Sequence, residues 1–316
     1  GRWRVVSEGA GGAFMSVWGR SADDVYVVGG DPGLGTGPTA FHLQGGIWQS
    51  MPTAGMSGAL NWVFGPAPET DAPVWMVGAG GAILRHDPAT DATVREPSGL
   101  SDDATLWGVW GQDDDTLYAV GDDQGLPILI RRDADGTWVE EPTPAPAGVI
   151  LYKVWGDEDG VWAVGSGGAV LRHDGSGWST VDLPEGVTQA ASLLTFHGDS
   201  AVGQEQGGGV ILTVDADRLQ APPLPEGAPA LNGVRIGQAN LGDGVAVGGF
   251  GAVLLRTGGA WTRVEDSATQ RDLHAAWIDD RGDIWACGGE ITGPNALKGQ
   301  GVLVHHGEVA PLRLFR

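Results

Sequence analysis

The chain has 316 residues, 41% of them hydrophobic, with 55 glycines, one cysteine and a formal net charge of −22. The glycines follow no Gly-X-Y period, which excludes collagen, and so acidic a chain suits neither nucleic acid nor anionic membrane surfaces. Cys287 alone makes no internal disulfide or zinc centre, its IWACGG setting reads as a buried strand, and no apolar run approaches the roughly 20 residues of a membrane helix.

Taken in chain order, one unit recurs seven times. VWGRSADDVYVVGG starts at Val17, VFGPAPETDAPVWMVGAGGAILRHD at Val63, VWGQDDDTLYAVGDD at Val109 and VWGDEDGVWAVGSGGAVLRHDGSGW at Val154. Weaker copies follow: LTFHGDSAVGQEQGGGVILTVD from Leu194, IGQANLGDGVAVGGFGAVLLRTGGAW from Ile236 and AAWIDDRGDIWACGG from Ala275. Taking Trp18, Phe64, Trp110, Trp155, Phe196, Ile236 and Trp277 as anchors, the spacing is roughly 40 to 46 residues, the period of a four-stranded propeller blade. Each unit reads as strand A ending in W-G, an acidic turn, an alternating strand B (D-V-W-A-V-G), strand C (A-I-L-R-H-D), a D-G turn and strand D. The expectation is an all-β, seven-bladed β-propeller of antiparallel blades with almost no helix, a single domain spanning 1–316. Its repeats cover about 14–52, 60–98, 105–143, 150–184, 191–225, 230–266, and 272–316 plus 1–8. The opening RWRVV matches a strand D and should close the last blade, a slot for which the tail GEVAPLRLF competes.

The C–D hairpins resemble BNR or Asp-box repeats, and the whole unit, with its G-W-A-V-G and G-x-I core, resembles propeller repeats of photosystem II assembly-factor-like proteins. Repeats of the form VWG…DVWAVG…G…ILRHDG…W are also similar to those of secreted proteins of myxobacteria. Asp133 and Thr137–Trp138 fit an Asp-box, but Asp135 stands in place of its glycine, and no sialidase arginine triad can be placed. The resemblance implies the fold and an extracellular, periplasmic or cell-surface location, any leader or lipid anchor preceding Gly1. It names no ligand.

The repeat accounts for most conspicuous residues. Asp157, Glu158 and Asp159, like Asp113–Asp115 or Asp279–Asp280, fall in A–B turns, where Asp suits the backbone. Structural calcium is the functional alternative, with DDRGD from Asp279 the closest approach to a binding loop. His86, His173 and His305 or His306 share a slot at the end of strand C, with His42 near it; rotation between blades keeps them apart, so no metal is assigned. Most of the 14 tryptophans occupy fixed packing slots: Trp18, Trp110, Trp155 and Trp277 end strand A, Trp75, Trp162 and Trp285 lie in strand B, and Trp3, Trp48, Trp138, Trp178 and Trp261 begin strand D.

What the repeat does not demand clusters at the start of strand A, the end expected at the top mouth of the central channel. Trp62, Trp107, Tyr152 and Phe14 are there, with Phe250 in the turn GGFGA and the polar neighbours Asn61, Lys153, Asn232, Arg235 and His274. These ten form the candidate ligand site. Long B–C loops start at Gly29, Gly121, Gly203 and Gly288, and long loops on a rigid scaffold are where binding usually resides. The leading expectation is a monomeric, noncatalytic module binding a carbohydrate, peptide or protein at this mouth, without cofactor. A glycosidase or polysaccharide lyase is the alternative, drawing on Asp122, Asp123, Glu205 and Glu290 with His274 or Tyr152. A third is an acidic scaffold for a basic partner. No nucleotide loop, nucleophile elbow or metalloprotease helix is present.

Overall fold

The computed structural model describes residues 1–66, 69, 71–215, 218–291 and 301–308. Seven four-stranded antiparallel sheets follow one another around a central axis, each strand pairing with its neighbours in sequence. The A strands line the channel: Phe14–Ser21, Leu60–Phe64, Thr105–Gly111, Leu151–Asp157, Ser192–His197, Leu231–Ala239 and Leu273–Ile278. The B strands are Asp24–Gly29, Val74–Gly78, Leu117–Asp123, Gly160–Gly165, Ser200–Glu205, Gly242–Gly248 and Ile284–Gly288. The chain is thus a seven-bladed β-propeller. Among the described residues the one helical element is a single 3-10 turn, Gly249–Gly251, and no helix is long and apolar enough to cross a membrane.

The last blade is closed by both ends of the chain. Strand Arg2–Glu8 pairs antiparallel with Val302–Gly307, which pairs with Ile284–Gly288. The opening strand therefore fills the D slot, as its likeness to GIWQSMP and GTWVEEP indicates. The competing tail from residue 309 on and most of the loop GGEITGPNALKGQG (292–300) lie outside the described residues. The free edges of each sheet are the innermost strand A, enclosed in the channel, and the outermost strand D, which is short in most blades.

Blades are held face to face by aromatic rings. The strand B aromatic of one blade meets the strand D tryptophan of the next edge-on: Trp75 with Trp138 at 6.2 Å, Tyr118 with Trp178 at 5.7 Å, and Trp285 with Trp48 at 6.3 Å between ring centres. Trp75 and Trp285 are fully buried, so these contacts combine large apolar burial with the preferred edge-to-face geometry. Cys287 is buried as well, and burial pushes its thiol up, away from the thiolate form.

The glycine near the end of strand B, preceded by Val in six blades and by Cys287 in the seventh, has one job in all seven. A Cβ added at Gly29, Gly78, Gly121, Gly165, Gly203, Gly248 or Gly288 would lie 1.9–2.2 Å from a backbone carbonyl at the start of strand A. Those carbonyls belong to Ala13, Ala59, Thr105, Ile150, Ser192, Ala230 and Asp272. In several blades that carbonyl accepts a hydrogen bond from the amide just after the glycine, for example Ser166 to Ile150 at 2.9 Å and Gly289 to Asp272 at 2.9 Å. The requirement is one of space, not of left-handed backbone. Replacing Gly121 or Gly165 with alanine should therefore destabilise the fold by about 1–3 kcal/mol or more, as overpacking against a backbone that cannot yield does. Urea denaturation checks this, and an unchanged midpoint would refute it.

Candidate functional site

Immediately after each of these carbonyls, strand A is bulged. The pairing register between strands A and B slips at the same place in every blade: between Phe14 and Ser16, Leu60 and Trp62, Leu106 and Gly108, and Leu151 and Lys153, and likewise in blades five to seven. The residue skipped is Met15, Asn61, Trp107, Tyr152, Leu194, Asn232 or His274. A bulge frees one residue from the ladder and re-aims its side chain. Here all seven re-aimed side chains line one cavity of about 100 Å³ at the channel mouth, together with Trp62, Lys153 and Ile291.

Seven of the ten residues singled out from sequence therefore meet at this mouth: Asn61, Trp62, Trp107, Tyr152, Lys153, Asn232 and His274. Three do not. Phe14 is fully buried, edge-on to Phe41 at 6.4 Å, because the bulge turns Met15 rather than its neighbour inward. Phe250 is 77% exposed on the outer rim, held in a left-handed conformation (φ 57°) with its amide donating to Asp272 Oδ1 at 2.8 Å. Arg235 lies deeper in the channel. Met15 and Leu194 were missed because neither is aromatic or polar.

Trp107 and Tyr152 stand edge-to-face, ring centres 5.9 Å apart, and both are half-buried. Trp107 Nε1 donates to Asp122 Oδ1 at 3.1 Å, so that carboxylate stands behind the ring and not in the cavity. The two asparagines brace adjoining blades: Asn61 Nδ2 donates to the Leu106 carbonyl at 2.9 Å and Asn232 Nδ2 to that of Leu273 at 2.8 Å. His274 Nε2 is 2.7 Å from the Gly289 carbonyl oxygen and donates to it, and burial keeps the ring below the usual histidine range.

Lys153 forms the floor. Its Nζ donates to the Trp107 carbonyl at 2.6 Å and sits 4.5 Å from the centre of the Trp62 ring. It passes in front of Gly108, where a Cβ would come within 3.0 Å of the Lys153 Cα. Beneath it is a second chamber of about 30 Å³, lined by Trp18, Phe64, Trp110, Trp155, His197, Arg235 and Trp277. These seven are the true repeat anchors. In blades five and six the equivalent positions are His197 and Arg235, not the Phe196 and Ile236 of the sequence alignment, since all seven lie three residues after the bulge. Among the described residues, no Asp or Glu lines either space. The net charge of −22 therefore lies outside a channel whose titratable lining is basic or tyrosine. Burial lowers Arg235 to about 10, still cationic at neutral pH, and holds His197 well below its ordinary value, with Arg235 adding to the effect.

The carboxylates considered for catalysis do not gather here. Asp123 accepts from Ser101 Oγ at 2.8 Å, Glu205 accepts from the Thr188 amide and hydroxyl, and Glu290 is exposed. The acidic turns do local work: Asp157 Oδ1 accepts from the Asp159 amide at 2.9 Å, and Asp113 Oδ1 from those of Asp115 and Thr116. Of the strand C histidines, His86, His173 and His306 share the expected slot, and His42 and His305 lie one position from it. His42 and His305 lie opposite Tyr26 and Trp285, whereas His86, His173 and His306 lie opposite Val74, Val161 and Ile284.

No protein-family model and no curated protein matches the chain. Among solved structures it is similar to an inactive variant of virginiamycin B lyase from Staphylococcus aureus with quinupristin (12% identity, TM-score 0.71, covering 96% of this chain and 99% of that one). It is also similar to YCF48 bound to D1 peptide (14%, TM-score 0.67, 97% of each chain) and to the WD40 β-propeller domain of Doa1 (11%, TM-score 0.67, 97% of each). These likenesses establish the propeller fold.

Burial brings the Lys153 amine from 10.5 down to about 7. The folded amine then loses its proton more readily than the unfolded one. The burial penalty is complete below about pH 7 and fades as pH rises toward about 10, so stability increases across that window. Lys153→Met should flatten this slope in denaturation curves taken from about pH 6 to about pH 9.5, and an unaltered slope would show that the amine is not desolvated.

Proposed function

We propose that the protein is a noncatalytic binding module whose channel mouth receives a side chain of a peptide or protein segment laid across the top face. The observation that carries this reading is the convergence of one re-aimed side chain from every blade on a single shallow cavity. The Trp107–Tyr152 pair stands there half-buried, in positions that blade packing does not require. A cavity of about 100 Å³ suits one side chain, and Trp and Tyr are the residues that most often anchor protein contacts. Sugar stacking is less well served: Lys153 lies over the face of Trp62, and Trp107 and Tyr152 stand against each other edge-to-face rather than side by side as a flat platform. The likeness in fold to YCF48, a propeller solved bound to a D1 peptide, is consistent with a peptide ligand. A secreted, periplasmic or cell-surface setting remains part of this proposal.

The glycosidase reading lacks a pair of carboxylates at the mouth, and a basic partner on the outer acidic turns would bind with steep salt dependence. Selection of peptides from a random linear library, followed by calorimetry, separates these. Trp107→Ala and Tyr152→Ala should each weaken the selected peptide about 10- to 100-fold while leaving the thermal midpoint nearly unchanged. Peptides that bind both variants as tightly as the parent, or that let go on modest addition of salt, would place the interaction elsewhere.

A further inference from the structure

The first and last blades use one set of positions in opposite ways. In blade one, Arg20, Asp24 and His42 form a neutralising network under Tyr26. His42 Nε2 lies 2.6 Å from Asp24 Oδ1, and Arg20 Nη1 lies 3.3 Å from Asp24 Oδ2 and 3.3 Å from the Tyr26 hydroxyl. Burial opposes ionisation of Asp24, but His42 and Arg20 outweigh it and hold the carboxyl below its ordinary value.

Blade seven places Asp283 where Asp24 stands, His305 where His42 stands and Trp285 where Tyr26 stands. The arginine slot, two residues beyond the strand A tryptophan, is occupied by Asp279. The cation of blade one is thus replaced by a second carboxylate. All three groups are buried: Asp279 is 6% exposed, Asp283 6% and His305 2%. Their ligand atoms lie within 4.8 Å of one another.

The local bonding leaves room for an ion. Asp279 Oδ1 accepts from the amides of Arg281 and Asp283, both at 2.9 Å, and Oδ2 accepts from Trp285 Nε1 at 3.0 Å. Asp283 Oδ1 accepts from Asn240 Nδ2 at 2.8 Å, leaving Oδ2 turned toward His305. The imidazole makes no hydrogen bond among the described residues: Nε2 is 3.6 Å from Asp283 Oδ2, too far for one, and Nδ1 is buried without a partner. The neighbouring cations are committed elsewhere, Arg281 to Asp23 and Arg4 to the Gly307 carbonyl. Two buried carboxylates beside an unbonded imidazole, with no arginine or lysine bonded to any of the three among the described residues, are costly as they stand.

We propose that Asp279, Asp283 and His305 bind a first-row divalent cation of the zinc or manganese type, which takes the place of the Arg20 guanidinium of blade one. Ligand bonds of about 2.1 Å put ligand atoms roughly 3–3.5 Å apart, a modest contraction of the observed cluster. Imidazole with carboxylates favours Zn²⁺ or Mn²⁺ over Ca²⁺, which prefers oxygen alone. Trp285 Nε1 and Asn240 Nδ2 are placed to orient the two carboxylates from behind. Rotation between blades does not keep all the strand C histidines apart, since His42 and His86 of adjoining blades meet edge-on with ring centres 6.5 Å apart; His305 instead meets acids from the A–B turn of its own blade, which a comparison of histidines alone overlooks.

The test is calorimetry on the chelator-stripped protein with Zn²⁺, Mn²⁺ and Ca²⁺ in turn. One Zn²⁺ or Mn²⁺ per chain is expected, with Ca²⁺ weaker and the thermal midpoint raised by the bound ion. Asp279→Arg rebuilds the blade-one network, so it should fold without metal and weaken the ion more than about 100-fold; Asp283→Asn gives the same reading should Asp279→Arg fail to fold. Absence of a stoichiometric site, preference for Ca²⁺, or undiminished binding in the folded variants would each overturn the proposal.

Discussion

The mouth of this propeller depends on a close approach between two backbones. At the end of every strand B, a glycine lets the first carbonyl of strand A come where a Cβ would otherwise be. The strand then slips by one residue, and the slipped residue faces the channel. Because the same approach occurs in all seven blades, seven side chains of differing chemistry arrive at one ring with no loop needed to place them. The V-G dipeptide is therefore a device for aiming side chains as much as a turn signal, and the scaffold can change what the ring contains without changing how it is held.

The strand A edges facing the channel carry polar backbone groups with no further strand to pair with, and these must find partners. Asn61, Asn232, Thr195 and Lys153 supply several of the missing bonds by reaching to the neighbouring blade's innermost strand. Their polarity is used mainly in bracing the ring. The aromatic pair Trp107 and Tyr152 has no such duty, which is why the binding proposal rests on it. Burying Lys153 and Arg235 in the same space leaves a basic lining inside an acidic molecule, so charge is segregated by depth rather than by face.

Repeats also reveal what a single site would conceal. Arg20 and Asp279 occupy one slot, yet one completes a balanced network and the other leaves two carboxylates beside an idle imidazole. Neither residue is unusual alone. The contrast is informative because the acid and histidine positions correspond in the two blades, while the cation of one is a carboxylate in the other.

The period, the four-strand grammar of each unit and the closing role of RWRVV were determined by the sequence, because alternation, D-G turns and repeat spacing are local properties of the chain. So was the identity of most mouth residues, since an aromatic or polar residue ahead of V-W-G stands out against the repeat. Three matters were decided only by tertiary structure. The bulge displaces the inward position by one residue, exchanging Phe14 for Met15, and a period-two reading does not contain that step. The weaker repeats align F-H-G and V-R-I with V-W-G, so His197 and Arg235 enter the lower collar although aromatic matching points to their neighbours. The meeting of Asp279, Asp283 and His305 joins a turn to a strand 22 residues or more away in sequence, and only the pairing of strands B and C brings them together.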